Sequence, residues 1–557
     1  MDRTEEVRRL ISPRTVGRKS ENKRTSDIPV QEPKYHSRTD TGLEPYSGSW
    51  EFKDAAHLLR RTTFGASYSQ ITNAVAQGRT ALVEQLLEDL PMPSPPVKID
   101  EGDPTVPLGE TWVDAAPGYF NERRRSLYAW WTGLMVHQEL NIRERLVLFW
   151  HNHLVVQSDV VREARYLYFY CNLLRENALG NFKELAKKIT IEPAMLRYLN
   201  GNTNQVGAAN ENYARELFEL FTIGKGEQVG EGNYTNYTED DVLAAARVLT
   251  GWFDDINTVS PGFQNNQHDT GNKQFSAAFD NQVISNNGDQ EYIDLIEMIF
   301  SKSETARSIC RELYRWFVYY DIDENIEANV IEPMAQIMIA NDYEIKPVLR
   351  ALLNSEHFYD MENRGCWIKH PLELTINPFR QFEVAFPDGS DVVQQYAMWD
   401  IIYRVAILQD MELGNPPSVA GWPAYYQEPQ YQRIWINAAV LPFKQDFINF
   451  FIYTGYNVDD FLLFVNPIPV VESIPNADDP NILIQTLIDI SLPVDLNQEQ
   501  KDFLKEVLIP GLPDFEWTIE WNDYLADPTN QEKLIAVGNK LQALFSALMT
   551  IAEYQLA

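Results

Sequence analysis

The chain has 557 residues, 44% hydrophobic and 12% aromatic, enough apolar material for folded cores, and a disordered chain is excluded. That length fits about two to four ordinary domains or one large helical body. Its 80 acidic residues outnumber 47 basic ones, for a formal charge of −33, and such a body repels a phosphate backbone, which argues against nucleic acid as a partner. Cys171, Cys310 and Cys366 stand apart with no CxxC, so neither a zinc ribbon nor a redox pair is signalled. No apolar run reaches the ~18 residues of a membrane span.

Residues 1–50 are polar and mixed in charge, and they read as a flexible arm or a strap across the body. The N-terminus has arginines without an apolar signal-peptide core, which predicts a chain that starts in the cytoplasm. Short helices are expected over 55–65, 69–77 and 81–90, followed by a proline- and glycine-marked loop over 91–118. Apolar periodicity then predicts helices over 119–139, 143–156, 164–177 and 181–192.

The stretch 210–252 carries the most specific residue pattern. A helix over 211–222 stops at Gly224, with Tyr213, Leu217, Leu220 and Phe221 as its apolar stripe. Asn212, Glu216 and Glu219 share another face, and a second helix begins at Thr238, whose hydroxyl suits an N-cap. Residues 254–290 read as a long loop with little regular structure. Helices resume over 291–301, 304–320, 331–341, 345–353, 372–385, 394–411 and 436–451, the last after an aromatic loop. Three more close the chain, over 482–492, 498–508 and 530–554. The expected fold is mainly α, a large multi-helix, bundle-like body with long irregular loops and few or no strands. It divides into the arm (1–50), a helical core (51–455) and a C-terminal helical extension packed on it (456–557).

Four groups could carry chemistry. His151 and His153 in WHNH point about 200° apart on a helix, so they share a metal only in an extended or helix-terminal segment. The alternative is that His153 lies on the buried stripe of Leu146, Phe149 and Trp150. Glu211 is placed to pair with Arg215, whereas Glu216 and Glu219 repel each other unless a cation compensates. In HDTGNK, His268 and Asp269 bring a ligand and a base together in a long loop, or form an ordinary turn. Trp422, Tyr425 and Tyr426 either stack on a sugar or peptide or pack against the helical body. The glycines at 224, 226, 230 and 232 follow a helix and lack a dinucleotide or P-loop spacing, and there is no HExxH, GxSxG or paired ExxH.

Read in order, HLLRRTTFG (57–65), RERLVLFWHNHLVV (143–156), PAMLRYLNG (193–201) and NENYARELFELFTIG (210–224) resemble the bacterial family domain of unknown function 1800. YTEDDVLAAARVLTGW (237–252), HDTGNK (268–273), CRELYRWFV (310–318), KHPLEL (369–374) and GWP (421–423) extend the resemblance from about Lys53 to Phe451. The family often has aspartate where this chain has Asn200. The resemblance implies a helical fold and no established activity. It also implies a partner, since family genes often lie beside domain of unknown function 1501, which resembles sulfatases and commonly carries a twin-arginine export signal. Export of the folded chain together with that partner is the alternative to a cytoplasmic location.

Two functional readings follow. One is a helical scaffold or partner-binding protein, in which the polar groups lock helices while the aromatic loop and basic arm engage a partner. The other is a metal-assisted hydrolase. There His151, His153 and His268 hold a divalent metal, Glu211, Glu216 or Asp269 completes the shell or acts as base, and bound water attacks.

Overall fold

Nine of the eleven residues in the helix Phe52–Thr62 are buried, so this short element is enclosed by the rest of the chain instead of lying on its surface. A capping box at Glu51 and Asp54 starts it. Its two arginines are buried, and each turns to the carbonyls left over at the end of another helix. Arg61 donates from Nε to Phe317 O (3.0 Å) and from Nη2 to Val318 O (3.2 Å), where Ser303–Phe317 ends. Arg60 donates to Leu492 O (3.0 Å) and Ile490 O (3.3 Å), where Pro480–Ser491 ends. Arg380 does the same from Pro371–Gln381, reaching Val136 O (2.7 Å) in the last turn of Phe120–His137. These cations meet the negative ends of helix dipoles as well as free acceptors.

The computed structural model describes residues 3–11 and 41–557, and the remainder of the expected arm lies outside them. Buried apolar side chains from Val7 to Ala557 form one continuous cluster. Phe120–His137 runs against Val392–Ile407 closely enough that a Cβ on Gly133 would stand 2.4 Å from the Trp399 ring. The segment Arg3–Ile11 is helical, and it buries Val7 and Ile11 against Val392–Ile407 and Val440–Tyr453.

The architecture is mainly α, and the strands among the described residues form four short antiparallel pairs. Two of these pairs organise the stretch expected as a long loop: Trp252–Asp255, which leads into it, with Ser260–Phe263, and Lys273–Gln274 with Val283–Ile284. The C-terminal region adds a hairpin (Tyr456–Val458 with Phe461–Leu463) and a helix, Asp514–Ala526, that the sequence reading passes over. That helix sits between prolines at 513 and 528, yet its buried face of Trp517, Trp521 and Tyr524 has i, i+4, i+7 spacing. The C-terminal helices dock on the core through Phe382 and Phe545 (4.9 Å between centroids) and through Tyr554, which donates to Asn377 (3.1 Å).

Replacing Arg61 with methionine keeps the apolar volume, leaves the Phe317 carbonyl without its donor and leaves Val318 O with only the weak Cys366 thiol (3.6 Å). The expected cost is about 2–4 kcal/mol. Arg350→Met removes an exposed pair with Glu84 and should cost below about 1 kcal/mol. Calorimetric thermal midpoints of the two variants give the comparison, and equal shifts would show that the buried contacts carry no special weight.

Candidate functional site

The central helix departs from the expected continuous one. Asn212–Glu216 is α-helical and Leu217–Phe221 widens into a π-helical turn, which lets Leu217, Phe218 and Phe221 all bury. Such turns free a carbonyl that a regular helix would use, and they recur at functional sites. Phe221 is the last helical residue, and its terminal carbonyl accepts from His153 Nε2 at 3.0 Å. Gly224, at φ +73°, closes the turn with its N–H on Phe218 O (2.8 Å).

Beside this turn lies a cleft of about 440 Å³. Its walls come from four segments distant in the chain: Asn152 and His153, the stretch from Glu219 to Glu227, the helix face of Glu304, Arg311, Glu312 and Arg315, and Tyr425 with Tyr426. The aromatic loop can approach only because of Gly421. At φ +88° a Cβ there would stand 2.4 Å from Asn152 Oδ1, and that oxygen accepts from Trp422 N at 2.9 Å.

Charges in the cleft are tied to one another. Lys225 pairs with Glu219, whose Oε2 also accepts from Tyr237 OH (3.3 Å). Arg311 binds Glu304 and Glu327, both at 2.6 Å, and Arg315 binds Glu312 at 2.7 Å. Tyr426 is 44% exposed, and its hydroxyl lies 3.1 Å from Ser418 Oγ.

The candidate residues fall in separate surroundings. His151 is buried with Nδ1 3.1 Å from Tyr170 OH, between the edges of Trp131 and Trp422, and burial lowers it to about 3. His153 is half-buried and parallel to Phe149 at 5.9 Å; desolvation lowers its pKa, while Glu312 and the Phe221 carbonyl oppose that shift. His268 faces Glu291 Oε1 (2.8 Å) and Thr250 O (2.8 Å), and Lys273 Nζ holds the other Glu291 oxygen at 2.5 Å. All three of these side chains are within 1% of complete burial, so HDTGNK forms an internal ionic clasp. Asp269 pairs with Arg247 (2.7 Å), a bond that leads the lowering of its pKa despite desolvation. Glu211 pairs with Arg215 (2.9 Å), which also grips Glu239 through two bonds of 2.7 Å.

The three histidines therefore have different partners, and no group of three or more His, Cys, Asp or Glu among the described residues is placed to hold a metal ion. Of the aromatic trio, Trp422 and Tyr425 are buried and only Tyr426 presents its ring to solvent. The sequence motifs do not single out the cation set of Lys225, Arg311 and Arg315. The i, i+4 spacing of Arg311 and Arg315 was the available signal. Asn200 has a backbone role, at φ 58° in the left-handed region that asparagine tolerates.

Glu216 stands apart from this pairing. Burial first, then the Glu219 charge, push it up to about 7, against the opposing fields of Arg215 and Lys225. A carboxyl raised on folding contributes no penalty below its unfolded pKa of about 4.3 and destabilises progressively as pH climbs to about 7. Glu216→Gln should thus stabilise the protein by about 1–3 kcal/mol at pH 8 and leave it unchanged at pH 4. Thermal midpoints across that range check this, and a pH-independent difference would contradict it.

Neither a curated protein nor a solved structure matches the chain. A family model does, over residues 57–556, so the match runs on past Phe451 through the C-terminal helices. The segments meeting at the cleft all lie within it, and the chain belongs to the family described as protein of unknown function (DUF1800).

Proposed function

We propose that the protein is a helical scaffold that docks a segment of a protein partner in the cleft beside the π-turn. The supporting observation is the pairing of the cleft's charges. Glu219, Glu304, Glu312, Lys225, Arg311 and Arg315 are each committed to an internal ion pair. Groups fixed in that way form a preorganised surface with both signs of charge. Tyr426 offers one exposed aromatic anchor beside them. A segment with alternating charges and an apolar or aromatic residue complements this surface.

The first candidate partner is the sulfatase-like product of a neighbouring gene of the domain of unknown function 1501 family. With a twin-arginine signal on that partner, the pair would leave the cytoplasm folded. The test is co-expression of both chains, followed by co-purification and a titration of binding. Tyr426→Ala combined with Lys225→Glu should weaken the complex at least tenfold, whereas Arg350→Met should leave it intact. Failure of the two chains to associate, or equal binding by both variants, would defeat this reading.

A second reading rests on Glu216. A carboxyl raised to about 7 beside Glu219, which is anchored by Lys225, has the split character of an acid–base pair. That favours acid–base hydrolysis, whereas the separate surroundings of His151, His153 and His268 count against a shared divalent metal. The same purified protein decides the metal part. Near-stoichiometric metal that is lost in His151→Ala/His153→Ala would support the hydrolase, and metal-free protein purified without chelators would count against it.

A further inference from the structure

The hairpin of Lys273–Gln274 and Val283–Ile284 leaves the outer side of its second strand uncovered. Phe275 N donates to Gln282 O (2.9 Å); Gln274 and Val283 form the next pair along, and Lys273 and Ile284 the one after. Antiparallel ladders alternate between bonded and non-bonded pairs, so the backbone N–H and C=O of Val283 point away from the hairpin. Those of Ser285, two residues on, point the same way. Among the described residues nothing outside the hairpin bonds to them.

Beside this edge runs a groove of about 610 Å³, which shares no residue with the cleft. Residues 282–287 form one wall, and Asp294, Glu297, Met298 and Ser301 form the other. The second set has i, i+3, i+4, i+7 spacing, a single face of the helix Glu291–Phe300 and its C-cap. An open edge beside a wall of side chains suits an extended backbone, which offers its own N–H and C=O groups in return. A helix has spent those groups on itself.

Charge narrows the occupant. Residues 282–301 hold four acidic residues and no basic one. Lys273 compensates Glu291, and Lys187 compensates Glu297 (2.6 Å). Asp289 and Asp294 have no ion pair among the described residues, so a second copy of this edge would bring like charges together. We propose that the groove takes an extended, lysine- or arginine-bearing segment of a protein partner, which adds to Val283–Ile284 as a third strand.

The test is selection of heptapeptides from a random phage-displayed library on the full chain, then titration of the best synthetic peptide by fluorescence anisotropy. The expected peptide combines β-branched residues with lysine or arginine, and it loses at least tenfold in affinity for Ser285→Pro. Proline there removes an outward N–H and leaves the ladder bonds of Val283–Ile284 in place. Asp294→Asn should weaken the peptide about threefold. N-methylation of alternate peptide amides needs no protein variant, and one of the two alternating sets should also cost at least tenfold. No selected peptide, or binding that proline and N-methylation both leave intact, would overturn the proposal. Dimerisation of the native chain that Ser285→Pro abolishes would assign the edge to a second copy and overturn it equally.

Discussion

A guanidinium buried in a protein interior needs acceptors, and this fold supplies them from helix ends. The helix Phe52–Thr62 is enclosed, and Arg60 and Arg61 are joined to carbonyls 430 and 256 residues away in the chain. Each contact resolves two problems together: an arginine without water, and terminal carbonyls without intrahelical donors. An early helix is thereby locked to the end of Ser303–Phe317 and to the end of Pro480–Ser491, and Arg380 adds a comparable joint to Phe120–His137. Apolar packing alone is non-directional, so these bonds fix which helices meet and at what depth.

The cleft inherits its shape from those joints. Ser303–Phe317 ends on Arg61 and carries Arg311, Glu312 and Arg315 on its exposed side. Phe317 is preceded by Trp316, whose ring supports Tyr425 in the cleft floor. On the other wall, His153 secures the terminal carbonyl of the π-turn, and Asn152 secures the aromatic loop. Neighbouring residues of one helix thus fasten two different walls.

Fold class was legible because apolar spacing near 3.6 residues persists along most of the chain. The capping box at Thr238 and the stop at Gly224 were legible for equally local reasons. The π-turn was not, since Leu217, Leu220 and Phe221 satisfy an α-helical stripe equally well. Arg60 and Arg61 resisted reading because arginine normally seeks water, and only the tertiary structure reveals the carbonyls that receive them. His268 illustrates the same limit. HDTGNK reads as a ligand–base pair or a turn, while its partner Glu291 lies 23 residues on, at the start of a helix. Glu216 and Glu219 read as a repelling pair, and Lys225, across the glycine stop, pairs with Glu219 alone.

Helix-end capture by Arg61 ties the cleft wall of Ser303–Phe317 to the enclosed helix Phe52–Thr62. Hydrogen exchange of the full-length Arg61→Met variant, mapped by segment, tests this most directly. The last turn of Ser303–Phe317 and the loop over 421–435 should lose protection at least tenfold, while Gln531–Thr550 keeps its native protection. Unchanged exchange at the cleft walls, or a uniform loss across all helices, would contradict the account.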